Sequence, residues 1–385
     1  MEAIEVIGLI ARGEDSRLQF KRDFTNAESV GAELVAMSNS KGGTILIGVE
    51  DAGLVVGLPA SDVRRINQLV ANAATNNVRP PINPLTENVE VDGRLVIVVT
   101  VNEGIGKPYQ DQSGAIWVKS GSDKRRVTAR EELQRLFQSS SLVHADEVPV
   151  EGTTSADVDL GHFAAFFEKR FDTSIDTQGL ALDRLLENLN LASGGALHLA
   201  GLLLFGKFPQ RYRPAFVVKA VSFIGDDPAA TGFRDSEDID GCLRDLLVRT
   251  MAFLSRNLRR LQQGKDFNAP GELEVSHIAL EELVVNMLLH RDYFISAPWR
   301  VMIFDSRIEL ISPGGLPNNL TVEHIRNGVS NMRNPMLASF ATYELPYRGI
   351  GTGIRRALAH APGITFVDDP ALNLFRATIP RPSVT

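Results

Sequence analysis

Between Glu281 and Phe294 the chain reads EELVVNMLLHRDYF. Leu283, Val284, Val285, Met287, Leu288 and Leu289, with Ile278 one turn earlier, place apolar side chains around nearly the whole circumference of a helix. Such a helix is stable only when other layers cover it, and this requirement constrains the fold more than any other stretch. The exception is a stripe of Glu282, Asn286 and His290. Steps of four residues return to one face of a helix, so these three side chains share a side. An isolated buried carboxylate costs on the order of several kcal/mol unless it is paired. The stripe therefore either lines a pocket or faces solvent, and the helix alone leaves both open.

With 385 residues the chain exceeds one ordinary core, so two or three domains are expected. The net charge of −7 means that any nucleic-acid binding must come from a local basic patch. The single cysteine, Cys242, excludes an internal disulfide and a cysteine zinc cluster, and suits a reducing cytoplasm. The opening MEAIEVIGLIARGED lacks the basic start and long apolar core of a signal peptide. The longest apolar runs, Leu95–Val101 and Leu199–Phe205, are far below membrane-spanning length, so a cytoplasmic protein with no membrane partner is expected.

The fold class expected is α/β in the α+β sense. Residues 1–140 read as a mixed α/β unit, with a buried strand in TILIGVE, a second strand in LVVGL and a hairpin around Asp92-Gly93. Residues 141–160, rich in Ser, Thr, Asp and Glu, read as a linker. Residues 161–275 form a helical and strand region in which GFRDSEDIDG reads as a polar loop. Cys242–Leu261 reads as a long amphipathic helix with an arginine-rich outer face, a candidate dimer interface that core packing within one chain explains equally well. Residues 276–385 form a last α/β unit.

Two glycine segments follow the polar stripe. YRGIGTGIRR places Gly349, Gly351 and Gly353 at alternate positions before a helix, and SPGGLP sets Gly314 and Gly315 after a strand. Glycines let backbone N–H groups approach a phosphate, and a helix N-terminus favours an anion. Arg348 adds positive charge, as do Arg355 and Arg356. Asn286 offers a neutral oxygen suited to Mg²⁺, which prefers oxygen ligands together with phosphates. A tight turn is the alternative for either segment taken alone.

The order of these pieces resembles the ATP-binding fold of the gyrase, Hsp90, histidine-kinase and MutL group. The words EELVVNMLLHRDYF, FDSRIELISPGGLP, RNP and GIGTGI resemble its divergent GHKL-type members, described as RecG-like C-terminal (HATPase_c_4) domains and predicted transcriptional regulators. The likeness spans roughly residues 197–380. It implies an α/β sandwich in which Asn286 holds Mg²⁺, Glu282 acts as catalytic base toward water, and Gly349, Gly351 and Gly353 cradle the phosphates of ATP in a lid. It also assigns His290, Arg291, Asp292, Gly314, Gly315, Arg333, Asn334 and Arg348 to the site. The Asp that reads adenine in well-studied members is replaced here, with Ser312 nearest in place and Asp305 earlier on the strand pair.

The N-terminal unit has a resemblance of its own. GEDSRLQFKRDF, SNSKGGTILIGVED and GKPYQ, followed by IWVKSGSDKRRV, are similar to the Schlafen/AlbA_2 domain, a nucleic-acid-binding module. Lys21, Arg22, Lys41, Lys119, Lys124, Arg125 and Arg126 then become candidate phosphate contacts, although a solvated charged face would look the same from charge alone. Together the two resemblances imply an ATP-binding, DNA-binding regulator, homodimeric and switched by Mg·ATP, with or without slow hydrolysis. No winged-helix segment is expected after Pro380, which weakens a sequence-specific transcription factor. The alternatives are a Schlafen-like nuclease in stress or phage defence and a scaffold with a degenerate nucleotide site. Gln19, where relatives carry an acid, argues against the nuclease, while Glu14 and Asp23 keep it open. No Gly-x4-Gly-Lys-[Ser/Thr] loop is present, so a helicase motor is not expected.

Overall fold

Asp92 and Gly93 both take positive φ, at 50° and 74°, and close the hairpin that the Asp-Gly pair predicts. In this computed structural model, which describes residues 1–139, 143–229, 231–262, 271–317 and 320–382, the hairpin belongs to the first of two compact units. The units are Met1–Val143 and His144–Thr385. No helix among the described residues is long and apolar enough to cross a membrane.

In chain order the first unit holds α1 (Ala3–Arg12), β1 (Leu18–Lys21), α2 (Ala27–Asn39), β2 (Gly43–Ile47), α3 (Ala60–Asn72), β3 (Val78–Arg79), β4 (Leu85–Val91) and β5 (Arg94–Val101). It continues with β6 (Gln110–Asp111), β7 (Trp117–Ser120), β8 (Asp123–Arg126) and α4 (Arg130–Ser139). The main sheet has the order β1-β2-β5-β4, with β1 parallel to β2 and the other pairs antiparallel. Successive strand residues point to opposite faces, and here both faces are apolar. Ile45, Ile47, Ile97 and Val99 pack with Leu34, Val35, Ile66 and Val70 of α2 and α3, while Leu46, Val96 and Val98 pack with Val6 of α1. LVVGL, expected as a strand, makes two isolated bridges, Val55 to Val49 and Leu58 to Leu95. The residues after β2 turn at Gly53, where φ is 81°.

The second unit runs through α5 (Leu160–Phe171), α6 (Leu182–Asn188), β9 (Ala192–Ser193), β10 (Ala196–Leu197), α7 (Leu199–Phe205), β11 (Val218–Phe223), β12 (Phe233–Ile239) and α8 (Leu243–Asn257). Then come β13 (Arg260–Leu261), β14 (Glu272–Leu273), α9 (His277–His290), β15 (Trp299–Ile303), β16 (Arg307–Pro313), α10 (Val322–Arg326), α11 (Pro335–Glu344), α12 (Gly353–His360), β17 (Thr365–Asp369) and β18 (Leu374–Pro380). Six strands form one mixed sheet of order β12-β11-β15-β16-β18-β17. Only β11 and β15 run parallel within it. Helix α9 packs against β16, α8 and α12, the layers that its apolar circumference demands.

The polar run GFRDSEDIDG is a correction, because it contributes β12 and is not a loop. An edge strand needs one ladder partner and can solvate its side chains, so polarity does not exclude it. Its acids are also matched. Asp235 pairs with Arg256 at 2.8 Å, Glu237 with Arg249 at 3.1 Å, and Asp238 with Lys219. The helix expected over Cys242–Leu261 stops at Asn257, where the chain turns extended to pair β13 with β14. The apolar face of α8, including Leu243, Leu246, Phe253 and Leu254, is buried in its own unit's core.

Candidate functional site

The polar stripe of α9 faces a cleft of about 1050 Å³, counting its open mouth. Glu282, Asn286 and His290 form one wall, and the segment from Tyr347 to Ile354 forms the wall opposite. Leu310, Phe375 and Ala377 of the sheet supply an apolar floor, and Gly314 to Pro317 a rim. Of the two readings left open by the helix alone, the pocket is the one adopted. A mostly apolar cleft with a few convergent polar groups is the usual form of a small-molecule site.

The glycines do different work. Gly314, Gly349 and Gly351 have φ of 90°, 70° and 71°, a region costly for other residues. A β-carbon on Gly351 would also lie 2.7 Å from the Gly328 carbonyl oxygen. Gly353 has ordinary backbone, and its constraint is proximity. A β-carbon there would lie 2.6 Å from Glu282 Oε2 and 3.0 Å from Asn286 Nδ2. Gly315 is held from behind by β17, where Asp368 Oδ1 accepts from Leu316 N–H at 2.9 Å.

The Glu282 side chain is only 8% exposed, and Arg356 Nη1 of α12 lies 2.8 Å from its Oε1. Burial raises the Glu282 pKa, and Arg356 opposes that rise. Tyr347 beside it is pushed up to about 12 by burial and by the Glu282 charge. Asn286 Nδ2 donates to the Glu282 carbonyl one turn back at 2.6 Å, which leaves Oδ1 as the atom Asn286 offers to the cleft. Burial and the nearby Arg333 charge push His290 down to about 4, so its imidazole is neutral at physiological pH. Among the described residues no group of three or more His, Cys, Asp or Glu side chains could hold a metal ion. A carboxylate with one amide oxygen suits a cation that keeps water and phosphate oxygens as its remaining ligands, as Mg²⁺ does.

Four residues that the resemblance drew into the site lie behind it. Arg291 is fully buried and points away from the cleft. Its Nη2 donates to the carbonyls of Ile295 and Ala297 at 2.6 and 2.8 Å, and its guanidinium lies 4.3 Å from the Trp299 ring centroid. It organises the turn after α9 and cannot reach a ligand. Asn334 donates to the carbonyls of Leu289 and Arg291, closing the C-terminus of α9. Asp292 accepts from Phe294 N–H at 3.0 Å, behind the Gly314 turn. Arg333 braces that turn through Gly315 O at 2.8 Å. Arg348, by contrast, lines the cleft. Ser312 lines it as well, with its hydroxyl 3.4 Å from the Met287 carbonyl, whereas Asp305 pairs with Arg234 elsewhere. Tyr347 went unassigned at the sequence level, and Arg356 was read only as positive charge near the glycine segment, without its pairing to Glu282. The available signal was spacing, since Arg356 follows Gly353 by three residues and shares its helix face.

In the first unit the seven basic candidates separate by exposure. The Lys119 side chain is 1% exposed and donates to Gln19 Oε1 at 2.5 Å, and burial lowers its pKa. Lys124 pairs with the buried Glu33 at 2.6 Å. Arg125 is held by Glu132 at 2.6 Å. Arg22 and Lys41 make looser surface pairs, at 3.5 Å to Glu50 and 3.3 Å to Glu103. Arg126 is exposed with no ion-pair partner among the described residues, and Lys21 is half-buried. Gln19 also donates to Glu14 Oε1 at 2.6 Å, which Phe20 N–H shares. Glu14, Gln19, Lys119, Glu33 and Lys124 therefore form one chain of polar contacts with an ammonium group between the carboxylates.

Two stretches of the chain match family models. Residues 14–128 match the model described as "Schlafen, AlbA_2". Residues 297–364 match the model described as "Putative ATP-dependent DNA helicase recG C-terminal". Both resemblances drawn from the sequence are borne out, in the same order along the chain. No curated protein matches. Solved structures similar to the chain include the DIP2311 protein from Corynebacterium diphtheriae, 20% identical, with 98% of this chain and 79% of that one covered and a TM-score of 0.46. The N-terminal domain of a RecG-related protein from Nitrosomonas europaea is 23% identical over 34% of this chain and 96% of that one, with a TM-score of 0.25.

Proposed function

We propose that the second unit binds Mg·ATP in the cleft between α9 and the glycine segment, that the first unit binds nucleic acid, and that nucleotide binding switches conformation or dimerisation of a regulatory protein. One observation carries the reading. The two walls of a single cleft are the polar stripe of α9 and the Gly349–Gly353 segment, and they touch where Gly353 meets Glu282 and Asn286.

The roles follow from the chemistry of each group. Gly349 and Gly351, at positive φ, turn backbone N–H groups toward phosphate oxygens, and Arg348 adds charge at the mouth. Asn286 Oδ1 and the phosphates would hold Mg²⁺, which supplies charge neutralisation between phosphate oxygens. Glu282, with a raised pKa beside Arg356, is placed to orient or deprotonate a water. The apolar floor of Leu310, Phe375 and Ala377 accepts a base by shape. In the first unit Arg22, Lys41, Arg126 and half-buried Lys21 are the basic groups able to meet a phosphate backbone, with DNA the expected ligand.

The test is thermal denaturation with Mg·ATP, Mg·ADP and no nucleotide, beside size measurement in solution. A ligand that binds only the folded state stabilises it by about 2.7 kcal/mol at a hundredfold excess over Kd. Native protein should gain apparent stability, and Asn286→Ala should lose that gain while folding normally. No gain at saturating nucleotide, or an equal gain in Asn286→Ala, overturns the site.

A further inference from the structure

Glu282 is gripped from two sides. Arg356 takes Oε1 at 2.8 Å, and the α-carbon of Gly353 closes on Oε2 so tightly that a β-carbon would sit 2.6 Å away. Both residues belong to α12 and lie three positions apart, so one helix face delivers both contacts. Arg356 is itself a third exposed and borders the cleft. A guanidinium in that position faces two competing anions. One is a carboxylate with a single charge. The other is whatever phosphate lies under the glycine segment, which carries more charge and several acceptor oxygens in a geometry that guanidinium matches.

We infer that Arg356 reads the terminal phosphate of a nucleoside triphosphate, exchanging Glu282 for it and thereby releasing the Glu282 carboxylate. The inference rests on the nucleotide reading of the cleft and adds to it a residue that distinguishes triphosphate from diphosphate. Arg348 does not fill this role. It sits in the exposed segment before the glycines and acts on Glu282 only at longer range. The exchange couples the end of the ligand to α12, because moving the guanidinium removes the ion pair that ties that helix to α9.

The experiment measures Mg·ATP and Mg·ADP affinity by calorimetry for the native chain, Arg356→Ala, Arg356→Lys and Glu282→Gln. A charge-assisted contact of this kind amounts to roughly a ten- to hundredfold preference for ATP over ADP in the native protein. Arg356→Ala should abolish that preference while ADP affinity stays within about twofold of native. Arg356→Lys should restore part of it. Glu282→Gln, which removes the competing carboxylate, should raise the ATP-to-ADP affinity ratio above native. An unchanged ATP-to-ADP ratio in Arg356→Ala overturns the inference while the nucleotide site stands. Absence of binding of either nucleotide to the native chain overturns the nucleotide reading itself, and the role of Arg356 falls with it.

Discussion

Gly353 touches Glu282 across the α9–α12 contact, and the space between them holds no methyl group, since a β-carbon would lie 2.6 Å from Oε2. Its φ is ordinary, so only sterics bar a larger residue. Gly353→Ala must turn the Glu282 carboxylate and the Asn286 amide aside, and because both are ends of flexible side chains the disturbance falls on the cleft wall and the Arg356–Glu282 pair more than on the backbone. The prediction is a folded protein with weaker Mg·ATP binding and a lower melting temperature. Gly349→Ala is the contrast. The nearest atoms there are 3.7 Å away, and only the positive φ resists substitution, at about 1–2 kcal/mol.

Asp146 is fully buried and caps α11 from outside that helix, its Oδ2 accepting from Leu337 N–H at 2.9 Å. Burial raises its pKa to about 6. A carboxyl raised above its unfolded value of 3.8 stabilises the fold at low pH, and this contribution is lost as pH rises from about 4 through 6. Asp146→Asn keeps the acceptor and removes the charge. It should stabilise the protein at pH 7.5 by up to about 3 kcal/mol in urea denaturation, and by nothing at pH 3.5. Asp146→Ala, which loses the cap, should destabilise at both.

His162 of α5 meets Glu344 of α11 at 2.5 Å. The Cys242 sulfur and the Glu344 carboxylate beside it push its pKa up to about 10. The stability this confers is complete below the unfolded value of 6.5 and is lost as pH rises through 10. The urea midpoint of the native chain should therefore fall between pH 6.5 and 10. His162→Gln should start lower and flatten that slope. A parallel slope in the variant would show that other groups carry it.

The basic residues of the first unit should divide by exposure. Neutralising Arg22, Lys41 and Arg126 together should weaken DNA binding and reduce the slope of log K against log salt by about 0.9 per lost phosphate contact. Lys119→Met should leave that slope alone and lower the melting temperature, since Gln19 and Glu33 lose a buried partner. A salt slope equal to native in the triple variant would move the interface elsewhere.

Much of this was legible in the sequence because it depends on local rules. The Asp92-Gly93 turn, the amphipathic period of α8 and the four-residue stripe of α9 each report their geometry within a few residues. What stayed hidden depends on distant partners. Strand β12 looks like a loop because its acids are balanced by Arg249 and Arg256 of a later helix. Lys119 looks like a surface charge until Gln19, a hundred residues earlier, is seen to accept from it. Arg291 sits in a motif beside the cleft, yet aromatic rings from Phe216 and Trp299 draw it the other way. Burial of a charge is decided by what packs over it, and one-dimensional spacing does not record that.

The parallel pairing of β11 with β15 sets a timetable for synthesis. Strand β11 leaves the ribosome about 75 residues before its central partner, which at roughly 5–20 residues per second is a delay of several seconds. Through that interval the β11–β12 hairpin has one finished edge and one open edge, and the open edge carries Val218 and Ala220, which are fully buried in the finished sheet. Any pause in synthesis between the emergence of β11 and the emergence of β15 would lengthen its exposure.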